Sequence, residues 1–372
     1  MPDMFAECAA APLAWVRAQP GPPPYVNVGD ALSPFLLTMV SGRPAAAADF
    51  VSDAPRIAAI GTIAQNFAGG RVEVWGAGCS PWSDPLSPRR RPFVPPAGTE
   101  FRLHATRGPL SARLLSGGGA PDVPFGDPAA LLPRFYAAPV EKRWELGVVL
   151  HLSELADRGF EAVAKPAIAR YAAPADGSVR LITMVAPPTV AATRDKIDEI
   201  RACRRIVSTS LHGLAIAAAY GVPCLYLGAD RGAEGVAAAD LTAPDAIGRV
   251  NARFVDLLLG CGQSEIVYWR QRKGRPTDWD ALMRAVDAEA RPLGVDGDAL
   301  IDACPAGAAP LAAPAGGTIW DHPLIAAAPF DAAAAPAEDA EGAAAPRAGQ
   351  GAGQGAVQGA GRRLVRWFGG RA

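Results

Sequence analysis

The stretch Arg205-Ile206-Val207-Ser208-Thr209-Ser210-Leu211-His212-Gly213, which runs into Leu214-Ala215-Ile216-Ala217-Ala218-Ala219-Tyr220 and then Gly221-Val222-Pro223-Cys224-Leu225-Tyr226-Leu227, leaves few folds open to this chain. Ile206-Val207 has the character of a short buried strand and the Ala-rich run has helical length. Gly221 is placed to end that helix, and Pro223 to Leu227 reads as the next strand. His212 therefore stands at a strand-to-helix turn. In open α/β sheets such turns face the crevice beyond the carboxyl ends of the strands, and the unpaired N–H groups of the following helix offer an anion site. A single histidine beside an apolar helix also has an ordinary reading, as a hydrogen-bonded structural residue.

The same alternation recurs along the chain. Strand-type runs occur at Arg56–Ile60, Arg71–Trp75, Glu100–His104, Glu145–Leu150 and Val179–Met184, and Val190–Cys203 carries Ile197, Ile200 and Cys203 at helical spacing. Strands that alternate with helices predict a parallel α/β architecture. Pro133 and Pro139 punctuate a boundary, which divides the chain into an N-terminal unit of residues 1–138 and a second unit of residues 139–304. From Pro305 the composition turns to Ala, Gly and Pro, ending in Gly349-Gln350-Gly351-Ala352-Gly353-Gln354-Gly355. Such a segment buries too little apolar surface to offset its ordering entropy, so residues 305–372 are expected to be a disordered low-complexity tail. Within it, Arg362-Arg363-Leu364-Val365-Arg366-Trp367-Phe368 interleaves arginines with apolar residues. This is either a peripheral contact for anionic lipid or merely a basic end.

A formal net charge of −1 over 372 residues gives no support to nucleic-acid binding. The six cysteines form no C-x-x-C pair and read as reduced thiols, and the four histidines show no metal-ligand spacing, so neither a metal nor a cofactor is demanded. An acidic N-terminus and the lack of a membrane-length apolar run predict a cytoplasmic protein.

Several residues join His212 as candidates. Arg107 follows the Glu100–His104 strand and opens a helical segment, and a guanidinium there can grip phosphate or carboxylate with a bidentate fork; an ordinary surface arginine is the competing reading. Ser208 and Ser210 offer hydroxyls to the same anion. In Asn27-Val28-Gly29-Asp30, Asp30 is the expected N-cap of a following helix and Gly29 a close-approach or positive-φ residue; the loop either lines a cleft or only caps. Gly61, Gly76 and Gly78 complete no G-x-G-x-x-G pattern, which weakens a dinucleotide reading. His151 ends a strand of the second unit, His104 lies within a strand and His322 in the tail.

Ser-Thr-Ser-Leu-His-Gly followed by an Ala-rich helix and Gly-Val-Pro resembles the signature of the polysaccharide pyruvyl transferases. In the same order come Asn27–Phe35, Val74–Gly78, Arg107–Ser111, Phe125–Ala129, Gly147–His151 and Arg253–Leu258, so the resemblance spans about residues 25 to 260. It implies two Rossmann-like domains facing a cleft, in a GT-B-like arrangement. It also implies transfer of the pyruvyl group of phosphoenolpyruvate, as a ketal, onto a sugar of a surface polysaccharide or a lipid-linked oligosaccharide precursor. His212 is then the acid, with His151 second. Arg107, Ser208, Ser210, Gly213, Asn27, Gly29 and Asp30 line the substrates. Some relatives carry Arg where this chain has Ser210. Two other readings share the scaffold: a GT-B glycosyltransferase with a nucleotide-sugar donor, and a non-catalytic polysaccharide assembly protein.

Overall fold

The computed structural model describes residues 5, 8–85, 89, 91–229 and 231–330. Six strands fall in the N-terminal half: β1 (Ala11–Leu13), β2 (Val26–Asn27), β3 (Ala45–Ala47), β4 (Arg56–Ala58), β5 (Gly70–Trp75) and β6 (Thr99–Ala105). Five of them form a parallel sheet in the order β3-β1-β4-β5-β6. Helices α1 (Val28–Ser41), α2 (Pro109–Leu115) and α3 (Leu132–Phe135) belong to this half. The second half supplies β7 (Leu146–Leu150), β8 (Val179–Thr183), β9 (Val185–Ala186), β10 (Ile206–Ser208), β11 (Cys224–Gly228), β12 (Gly235–Asp240) and β13 (Glu265–Arg270). Its sheet runs β12-β13-β11-β10-β7-β8, parallel except for the antiparallel edge strand β12. The helices here are α4 (Val190–Arg201), α5 (Leu211–Ala219), α6 (Ala246–Arg249), α7 (Ala252–Gly260), α8 (Trp279–Glu289), α9 (Gly297–Asp302) and α10 (Pro323–Ala326).

The burial follows from the sequence pattern. β7, Leu-Gly-Val-Val-Leu, is buried along its whole length, as a parallel strand covered on both faces requires, whereas β12 at the edge alternates buried and open positions. Helix α1 is apolar nearly all round and almost wholly buried, the pattern of a helix enclosed by other elements. It packs against α4 and α10. Its N-cap is Asn27, whose side chain accepts from the Gly29 N–H, and Gly42 ends it in the left-handed conformation at φ 68°. Asp30, expected to be the cap, instead lies inside the first turn: Asn27, whose extended backbone stands just before the helix, takes the capping role and leaves Asp30 to complement the helix dipole.

The halves are tied together. β2 pairs with β9 across the chain, and one continuous apolar core contains Leu13, Ile57 and Trp75 of the first sheet together with Val149, Ile206 and Tyr268 of the second.

Residues 305–330 correct the expectation of a disordered tail starting at Pro305. The backbone N–H groups of Ala309 and Leu311 donate to the carbonyls of Val40 and Met39 at the end of α1. Trp320 sets its ring edge against Phe35 and Tyr136 at centroid distances of 5.4 and 5.7 Å, and Phe330 packs on Phe35 and Trp15. Ile319, Trp320 and Ile325 are buried. A few large side chains anchor a stretch whose average composition looks unable to fold. The Gly349–Gly355 run and the basic Arg362–Arg371 end lie outside the described residues. No helix among the described residues is long and apolar enough to cross a membrane. None of the six cysteines is in a disulfide, and five of them are buried.

Candidate active site

Both sheets direct the carboxyl ends of their central strands to one region. From the first sheet come Thr62, Gly78 and Arg107, beyond β4, β5 and β6; from the second come His151, beyond β7, and His212, beyond β10. The turn that carries His212 is fixed by its own hydroxyls. Ser208 Oγ accepts from the Ser210 N–H at 3.0 Å and donates to the Ser210 carbonyl at 2.6 Å, while Ser210 caps α5 by accepting from the Gly213 N–H at 3.5 Å. Both serines are thus engaged within the turn. Gly213 is a packing position: a Cβ there would lie 2.5 Å from Val149 Cγ1, so only glycine lets α5 approach β7 this closely.

His212 is the second residue of α5, its side chain only 9% exposed. Gly29, in the first turn of α1, lies flat against its ring, since a Cβ on Gly29 would fall 1.8 Å from His212 Nδ1. Close approach, not positive φ, is what that glycine provides. On the other edge His212 Nε2 stands 3.7 Å from Asp127 Oδ2, beyond hydrogen-bond reach. Both atoms are buried without a hydrogen-bond partner. Asp127 is held in place because its other oxygen caps the turn at Pro128, accepting from the Ala129 N–H at 3.0 Å. Burial lowers the pKa of His212; Asp127 opposes this, and the charges of Arg107 and Arg253 add to it. The imidazole is therefore neutral around neutral pH.

Arg107 is only 1% exposed. Its Nε donates to Asp256 Oδ2 at 3.0 Å and its Nη1 to Thr62 Oγ1 at 2.7 Å. Nη2 also lies 3.0 Å from Asp256 Oδ2, an ion pair by distance but without hydrogen-bond alignment, so it keeps one donor uncommitted. Asp256 accepts in addition from the Ser111 N–H and hydroxyl. The guanidinium lies against Gly78, where a Cβ would be 2.2 Å from Cζ, and α7 presses on the Arg107–Gly108 backbone through Gly260. Arg107 thus joins the first sheet to α7.

His151 sits on a second polar network. Glu154 receives Arg170 at 2.8 Å, Tyr171 at 2.6 Å, Lys273 at 2.8 Å and Thr209 at 2.8 Å, and Thr209 Oγ1 accepts from the His151 N–H at 2.8 Å. Burial alone would raise the Glu154 carboxyl; Arg170 and the hydrogen bonds of Lys273, Tyr171 and Thr209 outweigh it and bring the pKa to about 2. The His151 ring meets Arg253 Nη2 at 3.2 Å through Nε2, and Ser153 Oγ at 2.8 Å through Nδ1. An arginine can only donate, so the Arg253 contact takes Nε2 as acceptor, whereas the Ser153 N–H donates to Nδ1 at 3.2 Å and caps the turn after His151; the two contacts draw on different tautomers of the ring. Burial first, and Arg253 next, pull the His151 pKa down to about 4.

The structure therefore gathers His212, Gly29, Arg107 and His151 at the joined strand ends, with Asn27 and Asp30 at the start of α1. It adds Asp127, Arg253 and Asp256, which sequence reasoning had not singled out although each lies inside a motif already noted, Phe125–Ala129 or Arg253–Leu258. Among the described residues no group of three or more His, Cys, Asp or Glu side chains is placed to hold a metal ion.

A family model described as polysaccharide pyruvyl transferase matches residues 64–231. That segment contains Arg107, Asp127, His151 and His212; α1 and α7 lie outside it. No curated protein and no solved structure matches the chain.

Proposed function

We propose that this chain, whose residues 64–231 match the polysaccharide pyruvyl transferase family, moves the pyruvyl group of phosphoenolpyruvate onto a sugar of a surface polysaccharide or of its lipid-linked precursor. The observation that carries this reading is the buried His212 Nε2, with no hydrogen-bond partner, at the turn where both sheets end. A group that needs a proton on a carbon calls for such a donor, because a ring nitrogen already committed to a hydrogen bond has nothing to give.

In this reading the donor's anions lie against the first-turn N–H groups of α5 and the remaining Nη2 donor of Arg107, with Asn27, Gly29 and Asp30 forming the facing wall. Before the donor binds, burial keeps His212 neutral. A bound phosphate and carboxylate favour the imidazolium, so the acid forms as the donor binds. His212 then protonates the methylene carbon of the enol, and a sugar hydroxyl attacks the oxocarbenium-like carbon as the imidazole returns to neutrality. Phosphate leaves, a second hydroxyl closes the ketal, and the two hydroxyl protons pass to the imidazole and to phosphate. General acid catalysis contributes a factor of roughly 10²–10⁴. The enzyme would work in the cytoplasm, or at the inner face of the membrane if the basic C-terminal end binds lipid.

Thermal unfolding with phosphoenolpyruvate, a UDP-sugar and a GDP-sugar, paired with phosphate release in the presence of a mixed glycoside panel, tests the proposal. Stabilisation and phosphate release with phosphoenolpyruvate are expected. Stabilisation by a nucleotide-sugar alone would replace this reading with the glycosyltransferase one.

A further inference from the structure

The two arginines at the site are provided for differently. Arg107 has Asp256; Arg253 has no carboxylate within ion-pair distance among the described residues. Its contacts are to neutral acceptors: Nε lies 3.3 Å from Asn251 Oδ1, which caps α7, and Nη2 lies 3.2 Å from His151 Nε2. The position is half-buried. Asp30 and Tyr226 act on it from α1 and β11, but burial and the neighbouring Arg107 charge outweigh them and hold its pKa down to about 10. A fold that brings a cation out of water beside a second cation loses stability unless a negative group completes the arrangement.

His151 shows what the guanidinium is held for. Its protonation would break the contact that Nη2 makes with the ring, and its depressed pKa keeps the ring neutral throughout the neutral range. The ring in turn is seated by Ser153 and by the Thr209–Glu154 network. A guanidinium with no ion-pair partner among the described residues thus borders the same space as His212, on which its charge is felt.

We propose that Arg253 is the principal cation for a phosphate dianion at this site, with His151 as the residue that positions its guanidinium. If the pyruvyl transferase reading holds, that dianion is the donor's phosphate; the assignment of the phosphate to Arg253 rests on that reading, whereas the anion site itself does not. Arg107, already paired, contributes the smaller share.

Calorimetry on the full chain with inorganic phosphate and with phosphoenolpyruvate tests this. Arg253→Gln should weaken both affinities by about ten- to a hundredfold, the worth of a lost charge-assisted hydrogen bond. Arg253→Lys, which keeps the charge without the planar fork, should fall in between. His151→Leu should raise KM for the donor more than it lowers kcat, while His151→Gln, which retains an acceptor, should recover part of the loss. If phosphate binds the wild type and Arg253→Gln equally well, the proposal is overturned while the transferase reading stands. If inorganic phosphate binds through Arg253 but phosphoenolpyruvate is neither bound nor turned over, the transferase reading fails and the anion site stands. A wild type that binds neither ligand overturns both. Should Arg253→Gln not fold, the lysine variant decides: unchanged phosphate affinity and unchanged KM there would sink the idea.

Discussion

Arg107 and His212 reach the same space from opposite sheets, and they have been furnished in opposite ways. Around Arg107, the carboxylate of Asp256, the Thr62 hydroxyl and the Ser111 N–H and hydroxyl are bound to one another, so that almost every charge has an answer. Around His212, an imidazole nitrogen and the Asp127 carboxylate oxygen face each other at 3.7 Å without bonding, and among the described residues the side-chain contacts of Arg253 within hydrogen-bond distance are to Asn251 and His151. Buried polar atoms left unmade cost about 1–3 kcal/mol each. The Arg107 side, with only its Nη2 left over, is mainly architecture. The unsatisfied side is where a ligand has something to supply.

That contrast is open to attack in order of expected effect. His212→Asn should cut turnover by roughly 10²–10⁴ while the protein still melts cooperatively near the wild-type temperature; retained activity, or loss of the fold, would erase the distinction between the two sides. Asp256→Ala should do the reverse, destabilising by about 3–5 kcal/mol in urea titration because it leaves Arg107 buried and unpaired. A variant of normal stability with impaired donor binding would make anion contact, and not support of the fold, the main task of Arg107. Gly29→Ala pushes a methyl into the His212 ring, and overpacking of this kind costs about 1–3 kcal/mol. We expect kcat to drop more than stability does, and equal drops would make the contact merely structural.

A further expected effect is on stability as a function of pH. The unfolded His151 binds a proton below its ordinary pKa of 6.5, whereas the folded ring resists until about 4, so the unfolded state holds more protons in that window and stability declines as pH falls from 6.5 to 4. Glu154, folded pKa about 2 against 4.5, extends the decline from 4.5 toward 2. Replacing His151 by Gln should lessen the upper part of the decline, to which the depressed His212 also contributes, and leave the lower. An unchanged slope between pH 6.5 and 4 would show that the ring titrates freely.

What was readable in the sequence is what depends on local order. Strand, turn and helix around His212 follow from apolar runs and Gly221, whose φ of 67° closes α5 as expected. The family resemblance, carried by short motifs, is matched over residues 64–231. The partners of those motifs were not readable. Nothing in a single chain says that Asp256 will meet Arg107 or that Asp127 will face His212, because these encounters depend on how two sheets and α7 come together. The cap of α1 was misplaced by local ambiguity, since Asn27 and Asp30 are both cap-forming types and only backbone geometry chooses. The segment after Pro305 misled for a different reason. Composition averages over Ala and Pro and so hides Ile319, Trp320, Ile325 and Phe330, which dock on α1 and its surroundings.

The apolar core does not stop between the sheets: Leu13 and Trp75 on one side are continuous with Val149 and Tyr268 on the other, and Ile325 closes the same cluster. Halves that share an interior cannot expose one half without wounding the other. Heating should therefore yield one calorimetric peak, with van't Hoff and calorimetric enthalpies in agreement, and amides of β5 and β7 should exchange with solvent through the same global opening.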